Sequence, residues 1–319
     1  MEARANKSLC RGASVFLILK EFILDELSYL IAEYADTFCI EEKKLRSFYD
    51  RVMDGFQICQ NQFYTTYMNG LSLFPLSTLA GKRKHNDSAL KGILSEDSLC
   101  ISTGFEAVYS VTYMECIDPS NIYLCYSKDN SIYKHDFKLS STRKIDTLQN
   151  PTCCHVYKDR LYVAHRNLNA NMCFSVFNSQ TLALLFSIPA KENHRCKHMV
   201  IVNDILYAFI DKDNDKHTHL QMWLLKFDEN QLVLIKQVDI TPIIGHQTDT
   251  QYHSMYLINN RLVFVEWYNF ERLDTKLYFF GLDLDFLFTR ELPYDAYYSC
   301  SNSNKIYLFI KDYKLITIS

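Results

Sequence analysis

The chain has 319 residues, with 34 basic and 37 acidic side chains and a formal net charge of −3. So balanced a charge provides no global basic field to draw nucleic acid or an anionic membrane surface. The length admits two ordinary domains or one large closed β architecture, and the 22 tyrosines and 21 phenylalanines favour the second, because aromatic side chains suit pleated, half-buried surfaces.

Residues 1–20 contain one apolar run, Ala13 to Leu19 (ASVFLIL), behind Lys7 and Arg11. Lys20 and Glu21 interrupt it and no small-x-small cleavage site follows, so it does not read as a signal sequence. Nowhere do about 18 apolar residues follow one another, so no membrane-spanning helix is expected. Residues 21–55 read as helical. In EFILDELSYLIAEYA the apolar residues Ile23, Leu24, Leu27, Leu30, Ile31 and Tyr34 recur at three- and four-residue steps and share one helix face. Asp25 and Glu26 sit near its start, where the helix dipole favours negative charge. A second helical stretch, EEKKLRSFYDRVMDGF, runs from Glu41 and stops near Gly55.

From residue 56 to 319 the period changes to two, with turn residues between short apolar runs. One phrase recurs: a turn of Asn, Asp or Lys, an apolar residue, usually Tyr, then more apolar residues. Its copies are NQFYTTY (61–67), SNIYLCY (120–126), KDRLYVAH (158–165), VNDILYAFI (202–210), NNRLVFVEW (259–267) and SNKIYLFI (303–310). A spacing of roughly 40 to 60 residues belongs to propellers and arrays. Around the copies lie further strands. CCHVY, RLYVAH, MCFSVFN and LALLFSIP form one set; CKHMVIV, ILYAFI, HLQMWLLKF and LVLIKQV the next; YHSMYLI, RLVFVEW, KLYFFGLDL and FLFTREL a third. Four antiparallel strands per unit make a propeller blade. The fold class is therefore mainly β, a β-propeller of about six four-stranded blades behind a short N-terminal helical segment. The last unit, SNKIYLFI followed by YKLITIS, lacks a fourth strand. A closed ring must hide its edges, and residues 13–19 have the length to supply the missing one.

These units resemble the blades of kelch-like and WD-like propellers over about Phe56 to Ser319. The resemblance rests on strand rhythm, since no Gly-Gly pair or Trp-Asp dipeptide occurs and Gly245-His246 is the one Gly-His. Residues 23–35, ILDELSYLIAEYA, resemble the first helix of an F-box through Leu24, Glu26, Leu27, Ile31 and Tyr34, with Asp25 where that motif has Pro. This resemblance implies docking to a Skp-type adaptor of a ubiquitin ligase; the alternative is an amphipathic helix packed on its own propeller.

Motifs for chemistry are sparse. Asp211, Asp213 and Asp215 imitate the start of a calcium loop, but Lys216 stands where the sharp turn needs Gly and Met222 where the loop needs Glu. His217 and His219 share a strand face roughly 6.5 Å apart, yet no third zinc ligand accompanies them. His194, Cys196 and His198 alternate, and the outer two span roughly 13 Å in an extended strand. Cys153-Cys154-His155 suits a buried strand, because adjacent residues face opposite ways. Gly81-Lys-Arg-Lys-His85 is the one basic cluster, in a polar turn-like stretch. No Gly-x-Ser-x-Gly turn, phosphate loop or dinucleotide fingerprint occurs. No catalytic residue, cofactor or metal is assigned. The eleven cysteines, several inside apolar runs, read as small buried hydrophobes in a reducing compartment, the cytoplasm or the nucleus.

The expected function is a non-catalytic platform for protein clients, with substrate reception for a ubiquitin ligase as its finer form. Its working surface is the face formed by loops between second and third strands, with Lys128, Asn130, Arg166, Asn167, Asp213, His217, Trp267, Tyr268 and Arg272. Aromatic and arginine side chains make the strongest anchors in protein interfaces. The alternative is a propeller enzyme or metal-dependent binding protein with a site at the channel mouth, which calls for paired carboxylates, or a histidine with a carboxylate, at reacting distance.

Overall fold

The computed structural model describes residues 40–44, 55–59, 62–67, 70–75, 99–102 and most of 111–319. Five blades are each built from four consecutive antiparallel strands. Blade 1 has β2 (Gly55–Cys59), β3 (Gln62–Tyr67), β4 (Gly70–Pro75) and β5 (Leu99–Ser102). Blade 2 has β6 (Val111–Asp118), β7 (Asn121–Tyr126), β8 (Ser131–Asp136) and β9 (Ser141–Ile145). Blade 3 has β10 (Gln149–Tyr157), β11 (Arg160–Arg166), β12 (Met172–Asn178) and β13 (Leu184–Pro189). Blade 4 has β14 (His194–Val202), β15 (Ile205–Asp213), β16 (Thr218–Asp228) and β17 (Gln231–Asp239), followed by the four-residue helix α1 (Thr241–Ile244). Blade 5 has β18 (Gln251–Ile258), β19 (Arg261–Tyr268), β20 (Thr275–Phe280) and β21 (Phe286–Leu292).

A sixth four-stranded sheet is composite. It takes β22 (Ala296–Asn302), β23 (Lys305–Ile310) and β24 (Lys314–Ile318) from the end of the chain and β1 (Ile40–Lys44) from near its start. Strand β1 covers the outer edge of β24, with Ile40 opposite Ile318 and Lys44 opposite Lys314. The first strands β2, β6, β10, β14, β18 and β22 each lie against the next, and β22 lies against β2, so the ring is closed.

Two expectations are corrected here. The fourth strand of the composite sheet is Ile40–Lys44, not residues 13–19, which lie outside the described residues together with the helical reading of 21–39. Residues 41–44, expected to open a second helix, are extended instead. Their Glu-Glu-Lys-Lys composition favours a helix in isolation, but pairing with an otherwise open sheet edge outweighs so weak a preference.

The repeated phrase corresponds to one structural unit, the turn between first and second strands together with the second strand. In every blade the terminal pair spans two intervening residues, as in Tyr157 with Arg160, Val202 with Ile205 and Ile258 with Arg261. Two-residue hairpins demand positive φ. Asn203 (φ 51°) and Asp204 (63°), and Asn259 (48°) and Asn260 (57°), provide it with residue types that tolerate the left-handed region. The second strands of blades 2 to 5 are apolar nearly throughout because, where burial is described, both faces are buried. Leu161 and Val163 of β11 pack towards blade 2, while Tyr162 and Ala164 pack towards blade 4. The core is thus a series of layers between successive blades.

Polar contacts also join neighbouring blades at the hairpin ends. Tyr123 Oη and Lys134 Nζ of blade 2 both donate to the Ser179 carbonyl in the β12–β13 turn of blade 3, each at 2.9 Å. Lys158 of blade 3 pairs with Asp204 of blade 4 at 2.7 Å, and Lys236 of blade 4 with Asp285 of blade 5 at 2.8 Å. The last two pairs are exposed and contribute little. Tyr123 and Lys134 are buried, so the Ser179 carbonyl is the contact with consequence. Tyr123→Phe is expected to cost about 1 kcal/mol, read as a fall of about 2–4 °C in melting temperature; an unchanged melting temperature would mean that Lys134 alone satisfies the carbonyl.

Candidate functional site: the loop face, the ring axis and the outer rim

The predicted loop residues fall where the second and third strands of successive blades meet. Asn130 lies between β7 and β8, Arg166 ends β11 and Asn167 follows it, Asp213 ends β15, and Trp267 and Tyr268 end β19. The topology therefore gathers them at one end of blades 2 to 5. Two of the asparagines are spent on the loops themselves. Asn130, at φ 52°, accepts from the Asn150 amide at 2.8 Å. Asn167 Oδ1 accepts from the amides of Asn169 (2.9 Å) and Asn171 (3.0 Å). Arg166 is half-buried and its Nε has no hydrogen-bond partner. Trp267 pairs through its backbone with Tyr252, and Tyr268 with Gln251. Lys128, His217 and Arg272 lie outside the described residues, as do Leu24, Glu26, Leu27, Ile31 and Tyr34.

Of the motifs weighed for metals, Asp215 and His217 lie outside the described residues, and several of the others have structural contacts. Asp211 is buried and its Oδ2 pairs with Lys197 at 3.0 Å. Cys196 lies against Cys153 of the neighbouring blade, with the sulfurs 3.6 Å apart. His194 sits over Trp223 at 5.2 Å between ring centroids. Cys153 faces blade 4 and Cys154 faces blade 2. Among the described residues no three His, Cys, Asp or Glu side chains are placed to hold a metal ion.

Sequence reasoning missed the ring axis. The third residue of each second strand, usually the tyrosine of the repeated phrase, pairs with a residue on the innermost strand. Tyr123 pairs with Glu115, Tyr162 with His155, Tyr207 with Val200, Val263 with Tyr256 and Tyr307 with Cys300. The register thus sets these five residues at one level around the axis. His155 Nδ1 lies 3.0 Å from Glu115 Oε1, linking blades 2 and 3. Tyr113 Oη donates to Glu115 Oε2 at 3.4 Å. The His198 ring contacts the edges of Tyr113 (4.9 Å) and Tyr256 (5.3 Å), which belong to blades 2 and 5. His198 belongs to blade 4, so its contact with Tyr113 spans the intervening blade 3, while Tyr256 comes from the adjoining blade 5; the three rings meet on the inner side of the ring. Tyr256 Oη lies 2.9 Å from Ser299 Oγ. Burial holds the His198 imidazole down at about 3 and pushes the Tyr113 and Tyr256 phenols up, so all three are neutral near pH 7. No spacing in the sequence marks this cluster: a break in pairing between Cys116 and Asp118 sets Glu115 one position further from its turn than His155, Val200, Tyr256 and Cys300, and only ring closure brings these residues together.

On the outside, apolar side chains are exposed at the same end of four consecutive blades. Leu139 (75% exposed) lies in the β8–β9 turn, Leu184 and Leu185 open β13, Val233, Leu234 and Ile235 lie early in β17, and Phe286 opens β21.

No protein-family model matches the chain, and no curated protein matches it in sequence. Solved structures match it in fold. The N-terminal domain of Nup159 aligns with a TM-score of 0.52 at 10% identity, over 84% of this chain and 75% of that one. The β-propeller domain of Nup133 from Vanderwaltozyma polyspora aligns at 0.53 and 8% identity, over 88% and 97%. Virginiamycin B lyase from Staphylococcus aureus aligns at 0.51 and 12% identity, over 88% and 99%. With its own sheet topology, this places the chain among the β-propellers. Among the described residues no helix is long and apolar enough to cross a membrane.

Proposed function

We propose that the protein is a non-catalytic platform that binds other proteins. The observation that carries this reading is the outer rim. Monomeric proteins rarely leave contiguous apolar surface in water, and such surface is what a protein partner covers. Here the exposure recurs at one end of blades 2 to 5, in the turn before the outer strand of blade 2 and on the outer strands of blades 3 to 5. A propeller that binds clients through loops has a second surface in the loop face, where a rigid scaffold holds variable segments. Trp267, Tyr268 and Arg272 remain its proposed anchors, with Arg166 at the corresponding strand end of blade 3.

Replacing Trp267 and Arg272 together by Ala is expected to reduce client capture at least tenfold, a loss of more than 1.4 kcal/mol, with the melting temperature unchanged. Capture at the parent level would remove the loop face, and the same measurement on Val233→Lys/Ile235→Lys would then assign the rim. The finer reading, substrate reception for a ubiquitin ligase, rests on the F-box-like residues 23–35. Its test is a deletion of 21–38, which spares β1. Recovery of a Skp-type adaptor and a cullin by the full chain alone would support it; equal recovery by both forms would end it.

A second reading, a propeller enzyme, has the Glu115–His155 pair in its favour. The rings of Tyr113, His198 and Tyr256 meet beside that pair on the inner side of the ring, which favours binding over turnover.

A further inference from the structure

We propose that the Glu115–His155 pair is a recognition site for a cationic side chain, arginine above all, carried by an extended segment of a protein partner; this rests on the platform reading and names the chemistry of one contact. The pair lies close to the hairpin ends of its strands, His155 two residues before the end of β10 and Glu115 three before the end of β6. Its exposure is partial, 21% for His155 and 12% for Glu115. Among the described residues no lysine or arginine pairs with Glu115, whose partners are the Tyr113 hydroxyl and the His155 ring. Burying a carboxylate with neither lysine nor arginine beside it is costly, and an incoming cation offsets that cost.

The surroundings fit the same ligand. In the tautomer that donates from Nδ1–H to the carboxylate, Nε2 is an acceptor. A planar guanidinium can donate to that nitrogen and to a carboxylate oxygen at once, where an ammonium offers only a point charge. The partly exposed Tyr113 ring adds an aromatic surface that attracts cations. His198, 6% exposed, rests against that ring with its Nδ1 lacking any hydrogen-bond partner, so the cluster retains unused hydrogen-bonding capacity.

The test uses the full chain and three probes: a blocked Gly-Arg-Gly peptide, its citrulline counterpart of equal shape without charge, and agmatine, which has the guanidinium without a peptide backbone. Side-chain nitrogen NMR of the histidines reads the contact. The arginine peptide is expected to shift the His155 resonances and to bind about tenfold more tightly than the citrulline peptide, and Glu115→Gln to erase that difference. Equal binding of the two peptides, or no shift of His155 with peptide on the order of millimolar, would overturn the proposal. Agmatine binding as tightly as the peptide would overturn the assignment to a protein partner. The arginine–citrulline contrast is read on the unmodified chain, so it stands whether or not Glu115→Gln folds. It is also independent of the loop-face substitutions, so failure here and failure of the platform reading are separable.

Discussion

Placing proline at both Glu42 and Lys43 is expected to lower the melting temperature by on the order of 10 °C or to split the transition in two. Adjacent residues of an edge strand alternate between facing their neighbour and facing solvent. One of the two prolines must therefore remove an N–H from the β1–β24 ladder, whichever registers inward. Losing β1 leaves β24 as an open edge and takes from the ring the only sheet that joins distant parts of the chain among the described strands. A loss on the order of 4 kcal/mol at about 2–4 °C per kcal/mol gives the stated shift. Glu42→Ala with Lys43→Ala keeps the backbone and is expected to stay within about 2 °C, because substitutions on an exposed edge are nearly neutral. Calorimetry on the two pairs decides the matter. Equal melting of the proline and alanine pairs would mean that the ring does not depend on β1.

The native protein is expected to expose at most four of its eleven cysteines to a thiol reagent such as DTNB, and all eleven after denaturation. Cys116, Cys125, Cys153, Cys154, Cys173, Cys196 and Cys300 are free and buried. Thiol reagents need the thiolate, and burial pushes the Cys154 and Cys196 thiols well up and that of Cys173 up. Several lie between blades, so their reaction requires blades to part. A reaction of five or more thiols at the fast rate would show that the layers between blades open readily. In the β1 proline variant the slow class is expected to react faster, which links this measurement to the first.

Much of the architecture was legible because the physical signal was local. The strand sets from residue 151 to 292 could be delimited from alternation and turns, since two-residue hairpins need Asn, Asp or Lys at fixed places and the second strands of those sets are buried on both faces where burial is described. The composite sheet was less legible. That an end-to-end strand closes the ring followed from the missing fourth strand, but the segment that does so, Ile-Glu-Glu-Lys-Lys, has one apolar residue in five. An outermost strand needs little hydrophobicity, so its pattern carries almost no information. The axial cluster was invisible for a different reason. Glu115, His155, His198 and Tyr256 belong to four blades and come together only through ring closure, which no sequence spacing encodes. Cys196 and His198, weighed as metal ligands, lie on β14 across a break in its pairing with β15. There Cys196 turns to Cys153 and His198 to the axis, so the alternation read from the sequence overstated what they share.

The composite sheet differs from the other five only in where the chain is cut. Ile318 and Ile40 are direct antiparallel partners, so a short turn from Ser319 to residue 40 would make that sheet an ordinary four-strand unit with its third and fourth strands in hairpin sequence. The position of the seam is therefore a property of the gene rather than of the ring. The turns that hold Ser179 and Asp283 occupy the same station in blades 3 and 5, and circular permutants opened there would keep every layer of the core while moving the free ends to a different part of the circumference.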